Sequence, residues 1–300
     1  MTNSIGYDPE EEIEASRAPL LEHLTELRSR LIVCVVALFV GFGVCFYFSN
    51  QLFLFLIHPF EVAAGMVAAS KAGGAHHNPF DLIMVLTGLK DAPADVAHQK
   101  FVFTALLEQF FTKLKLSAFG AVVITFPVLA WQLYRFVAPG LYKNERGAFL
   151  PFLIASPVLF VMGAALVYYV MLPFIVWFSM NQQIFGDAIS VELLPKVSDY
   201  LTLVTSLLLA FGLCFQLPVV VSLLGMAGII DSKMLRGGRR YAIVGVFIAA
   251  AVLTPPDPIS QLTLAIPMCL LYEIGIWCVW IIERGRKKRE AEESKDVVAV

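Results

Sequence analysis

The charges of this chain are missing in long blocks, and no other feature limits its possible folds as strongly. No Asp, Glu, Lys or Arg lies between Arg30 and Glu61, between Lys115 and Arg135, between Arg146 and Asp187, or from Leu201 to Ile230. Each gap exceeds the roughly 18 apolar residues that mark a membrane span, because about 20 residues at 1.5 Å rise cross a hydrocarbon layer of about 30 Å. Only 15% of the 300 residues are charged and 58% are hydrophobic, whereas soluble domains run near 25% charged. The expected fold is an all-α polytopic membrane protein.

The gaps and their flanks place six spans, at about 31–50, 108–134, 148–172, 200–224, 241–253 and 259–282. The last two are separated by "TPPDP" at 254–258, whose prolines end a helix. Thirteen residues reach only about 20 Å, so span 5 is short for a bilayer, and spans 5 and 6 form a short hairpin. Residues 1–285 then form one membrane domain, opened by an amphipathic helix over 19–30. Residues 286–300 are a basic, then mixed-charge tail with no apolar periodicity, expected to be disordered. The outside segment 51–107 is long, with an Ala- and Gly-rich patch at 62–75.

Lysine and arginine counts orient the bundle. Sixteen lie in segments on the side of both termini and four on the other, with Lys113 and Lys115 inside span 2. Positive loops face the cytoplasm, so both termini are expected there. No basic n-region marks a cleavable leader, since Asp8, Glu10, Glu11, Glu12 and Glu14 crowd the start.

"HLTELRSRL" at 23–31 precedes the first uncharged run. Leu20, Leu24, Leu27 and Leu31 fall on one helical stripe, and Glu22, Glu26 and Arg30 on another. Such a helix lies at the membrane edge with carboxylates and guanidiniums fixed on its wet side. The loop "WQLYRFVAPGLYKNERGAF" at 131–149 places aromatic residues at interface depth around a Pro139–Gly140 turn. Taken alone, its Glu145 reads as a surface acid beside Lys143 and Arg146.

Catalytic chemistry has little support. The chain has no GxSxG, HExxH or P-loop, no paired acids within spans, and no His inside them. His76, His77 and His98 lie in the outside segment without metal-ligand spacing, and the five cysteines lie in apolar runs without CxxC spacing. No cofactor or metal is expected, and the chain does not read as an enzyme. Glu273 in span 6 is either a functional acid or the partner of a polar group on a neighbouring helix. Gln216 in span 4 hydrogen-bonds another helix or faces a watery cavity. Lys115 can snorkel to the interface. Asp257 caps span 6 or meets a partner, and Pro59 is a further functional candidate. Prolines within spans kink them, which makes a bundle concave.

Five segments, in order, resemble the TatC family, the multispanning receptor of the twin-arginine protein translocase. They are "HLTELRSRL", "FFTKLKLS" (110–117), "FPVLAWQLYRFVAPGLYKNER" (126–146), "AFGLCFQLPV" (210–219) and "LTPPDPISQLTLAIPMCLLYEIG" (253–275). The resemblance covers roughly residues 20–285. It implies a multi-pass protein of the bacterial inner membrane, the core of the twin-arginine system. Such a protein binds twin-arginine signal peptides of folded precursors at the cytoplasmic face and takes part in their transport, energised by the proton-motive force. Implied partners are TatA- and TatB-type single-span proteins and further copies of itself; no nucleic acid is expected. Glu26 and Glu145 match the family's two signal-binding glutamates, and Phe136 an aromatic residue of the same recognition. Arg28 and Arg30 match positions that orient the carboxylates or contact lipid phosphate. The sequence departs from the family where Gln216 replaces a common intramembrane glutamate, and in a longer first outside loop. Two rival readings are a secondary transporter of a small solute, which predicts internal symmetry, and an intramembrane enzyme; the residues each requires are absent.

Overall fold

The computed structural model describes residues 9–71, 84–85, 87, 89, 101–137, 146–185, 190–191, 195–253 and 258–298. Its elements are α1 (Pro9–Tyr47), α2 (Ser49–Lys71), α3 (Glu108–Val137), α4 (Arg146–Leu166), a π-helical turn (Val167–Met171), α5 (Leu172–Asn181), two short strands (Ile184–Phe185 and Ser190–Val191), α6 (Val197–Cys214), α7 (Leu217–Met226), α8 (Ser232–Leu253) and α9 (Pro258–Val298). Large apolar side chains such as Phe39, Val40, Ile154, Val161, Ile248 and Val252 are exposed. That outer surface suits lipid rather than water.

Six helical stretches among the described residues are long and apolar enough to cross a membrane: 25–47, 49–67, 108–136, 152–181, 197–226 and 261–288. The set differs from the expected one at two places. The stretch Ser49–Val67, all but its first two residues expected in a loop, is helical, whereas α8 is not among the six because its start carries Lys233, Arg236, Arg239 and Arg240. Packing reconciles the two. Helix α1 runs antiparallel to α3: Arg30 reaches the carbonyl of Gln132 at 3.4 Å, and farther along Cys45 and Leu52 pack against Gly120. Helix α1 therefore stops partway along α3. Helix α2 carries the path onward, with Phe60 meeting Phe101 and Tyr200 at ring separations of 4.8 and 5.3 Å. Phe101 precedes α3 and Tyr200 opens α6, so both lie at the end opposite Arg30. Together α1 and α2 make the first crossing, bent at Phe48, and α2 then covers α5 with its buried Ala63, Ala64, Met66 and Val67.

Pro59 sits buried inside α2. Its missing N–H frees the carbonyl of Phe55 one turn earlier. The Tyr168 hydroxyl donates to that carbonyl at 2.8 Å, with the Tyr168 ring stacked on Phe55 at 4.6 Å. A proline that reads as a loop signal is thus accommodated by a neighbouring helix.

Two other boundaries differ from the sequence expectation. Helix α1 begins at Pro9 rather than at Pro19. The residues between are mostly Glu and Ala, good helix formers, and proline suits a first helical position. Helix α9 continues to Val298 through the tail expected to be disordered. There the sequence is rich in Glu, Lys and Arg, which are good helix formers.

The centre of the bundle is built where helices break. The π-helical turn and Pro173 bend the third crossing. The fourth breaks at Phe215–Gln216, with Pro218 in the first turn of α7. Helices α4 and α6 meet closely, Phe160 and Phe211 being almost wholly buried, and Phe160 stacks on Phe126 of α3 at 4.0 Å. An apolar hollow of about 490 Å³, lined in part by Pro218 and Pro267, lies between α4, α7 and α9. The bundle is concave there.

Candidate functional site

At the end of the bundle where α1 enters, the structure gathers most of the predicted site. Arg30 bridges two elements: its guanidinium pairs with Glu26 one turn earlier and donates to the Gln132 carbonyl of α3. The pair is asymmetric. Arg30 is the covered partner, its side chain 15% exposed against 37% for Glu26. An ionised carboxylate has about four acceptor sites, so Arg30 fixes the orientation of Glu26 while part of the carboxylate still faces outward. Arg28 is exposed on the same helix, and Ser29 Oγ donates to the Glu26 carbonyl at 2.9 Å. Phe136 lies half-buried one turn beyond Gln132, near the end of α3. Glu145 lies outside the described residues, in the 138–145 connection that starts from Val137 and ends at Arg146.

A second polar group lies deeper. At the break between α6 and α7, the Gln216 side chain turns into α4. Ser156 Oγ donates to Gln216 Oε1 at 2.5 Å, and Gln216 Nε2 donates to the Ser156 carbonyl at 2.9 Å. Tyr134, buried on α3, hydrogen-bonds to Ser156. Three helices are therefore tied by one polar cluster, of which Gln216 alone is legible as an anomaly in the sequence. A serine and a tyrosine within apolar runs give no such signal. Replacing Gln216 by Ala is expected to cost roughly 1–2 kcal/mol, the range for interhelical polar contacts and for a buried group losing its partner. A double-mutant cycle with Ser156→Ala, read by thermal unfolding in detergent, should show coupling; additive losses would disprove the pairing.

The other candidates separate from this site. Glu273 of α9 accepts from Arg239 of α8 at 2.7 Å, both side chains being about two-fifths exposed. Lys115 is exposed on α3, and Pro59 acts within α2 as described. Asp257 lies outside the described residues. Sequence reasoning also missed Glu108. One of its oxygens accepts from the N–H groups of Thr104 and Ala105 at 2.8 and 3.1 Å and so caps the start of α3, and Lys196 stands 3.8 Å from the other. An acid at a helix start is the available sequence signal for it.

Residues 22–267 match the family model described as Sec-independent protein translocase protein (TatC). A relative of that name from Magnetococcus marinus is 42% identical over 277 residues, covering 92% of this chain and 89% of the relative. The relative from Escherichia coli K12 is 34% identical over 273 residues, covering 91% and 92%. Among solved structures, a crystal structure of the twin-arginine translocase receptor TatC is similar with a TM-score of 0.67 at 30% identity. It covers 87% of this chain and 99% of that one.

Proposed function

This chain belongs to the TatC family, and on that premise we propose that its Arg-bearing end is a cytoplasmic receptor surface for twin-arginine signal peptides. As a family member it is a multi-pass integral membrane component of a protein translocase and not an enzyme. In the proposed complex, Glu26 and Glu145 each take one guanidinium of the signal peptide. A carboxylate receives a guanidinium through two parallel hydrogen bonds, which a lysine ammonium cannot match. Arg30 holds Glu26 in place, Phe136 offers an aromatic face beside it, and Arg28 meets lipid phosphate or a peptide carbonyl. Single-span TatA- and TatB-type partners and further copies of the chain would pack on its lipid-facing helices, and the proton-motive force would drive transport.

The observation that carries this reading is the Arg30 bridge. It fixes the acidic stripe of α1 beside the final turns of α3, from which the segment bearing Glu145 departs. On this proposal both recognition acids belong to one end of the bundle. The test is photo-crosslinking of a twin-arginine peptide in membrane vesicles of known sidedness. Adducts should map to α1 near Glu26 and to residues 136–145, and form only when the cytoplasmic face is accessible. Adducts formed from the opposite face would overturn both the site and the orientation.

A further inference from the structure

We propose that a basic hollow between the start of α8 and the end of α9 binds the phosphate of an anionic lipid headgroup. The hollow measures about 480 Å³ and is lined by Lys233 and Arg236 of α8 and by Arg284, Arg286 and Lys287 of α9. Five cations converge there against two acids, Asp231 and Glu283. Glu283 is engaged within the wall by Ser232, which also lines the hollow. Its two oxygens accept from the N–H and the Oγ of Ser232, both at 2.6 Å, and so cap the start of α8 from the neighbouring helix. Arg286 and Lys287 also act on Glu283 electrostatically. Lys233 and Arg236 make no ion pair or hydrogen bond among the described residues. The hollow therefore carries a net positive charge, with donors on two helices facing one space.

Phosphate chemistry fits such a site, since guanidinium forks and ammonium groups both match its oxygens. The lipid source fits better than a free ion for two reasons. The space is of the size that holds a small molecule, and a bare phosphate would fill only part of it. Trp280 also lines the hollow, under Arg284 at 5.4 Å, and the exposed Trp277 and Ile281 continue the apolar face of α9 toward the membrane. An acyl chain could follow that face while the headgroup sits among the cations, as basic pockets between membrane helices allow. The inference requires only that this end of the bundle meets a membrane surface, so it stands apart from the peptide-binding reading.

The test uses the full chain purified in detergent and titrated with short-chain phosphatidylglycerol, phosphatidylcholine or inorganic phosphate, with bound ligand counted by native mass spectrometry. Phosphatidylglycerol should bind at least about tenfold more tightly than phosphatidylcholine, and inorganic phosphate at equal concentration should not displace it. The variant Lys233→Gln/Arg236→Gln should lose phosphatidylglycerol affinity by roughly thirty-fold, given the usual contribution of two basic groups at an anionic surface. The control Arg240→Gln/Lys288→Gln removes two cations from the same end but outside the hollow, and should shift affinity by less than about threefold. Equal losses in both variants would overturn the proposal in favour of diffuse surface charge. Displacement by inorganic phosphate would reassign the hollow to a free anion, and no preference between the lipids in the unaltered protein would reject it. Peptide affinity of the same variants should be unchanged, so failure of the peptide site would appear separately.

Discussion

Replacing Glu26 or Glu145 by Gln is expected to lower affinity for a twin-arginine peptide by about ten- to hundred-fold in each case. A hydrogen bond to a charged partner contributes roughly 1.5–3 kcal/mol, and glutamine keeps the shape of glutamate while removing the charge. Stability should hardly change. Glu26 is more than a third exposed, and Arg30 keeps its bond to the Gln132 carbonyl and can still donate to the glutamine oxygen. If each glutamate serves its own arginine, the double variant should lose about the sum of the two free energies, as separated sites do. Arg30→Gln should weaken binding by less, because it removes the support of the carboxylate and not the carboxylate. Peptide affinity measured in detergent, with the thermal midpoint as the control for folding, separates these outcomes. Unchanged binding in both glutamate variants would leave "HLTELRSRL" as a solvated helix face.

Much of the fold is legible because lipid imposes long uncharged helices, and gaps in charge are visible without any partner. What the sequence hides is long-range compensation. Pro59 and the small residues after it read as loop, yet α2 is helical because Tyr168, 113 residues from Phe55, supplies the hydrogen bond that the proline removes. The short apolar part of α8 is visible, but its helix starts earlier, at Ser232, capped by Glu283 from 51 residues away. The candidate site divides in the same way. Glu26, Arg30 and Phe136 are found through motif and stripe, and Gln216 through its polarity in an apolar run. Their partners, the Gln132 carbonyl and Ser156, have no sequence signature, since a backbone oxygen is present at every position and serine is tolerated in any helix. Glu273 illustrates the limit of reading an intramembrane acid alone: its meaning depends on Arg239, 34 residues away.

Enlarging Gly163 or Gly212 is expected to produce the largest loss of stability in this bundle, and the two should differ in whether they can be rescued. Both lie where α4 crosses α6. A Cβ on Gly163 would come within 2.8 Å of the Phe211 carbonyl oxygen and 2.8 Å of the Phe215 ring. A Cβ on Gly212 would come within 2.5 Å of the Phe160 ring, which is held by stacking on Phe126 and almost wholly buried. Overpacking of this kind costs roughly 1–3 kcal/mol or more, so Gly163→Val and Gly212→Val should lower the thermal midpoint or prevent assembly. Gly245 has nothing within 4 Å of an added Cβ, and Gly245→Val should have little effect. The obstacles also differ in kind. The ring facing Gly212 is a side chain, so Phe160→Leu should relieve much of the penalty of Gly212→Ala, and the pair should be non-additive. The obstacle at Gly163 includes a backbone oxygen, so no side-chain truncation should rescue Gly163→Ala to the same extent. The crossing also sets the spacing between Ser156, two turns earlier on α4, and Gln216, just past the end of α6. Variants that still assemble should therefore lose the Ser156–Gln216 coupling before they lose peptide affinity. Full stability in Gly163→Val would show that α4 and α6 pack less closely than the structure places them.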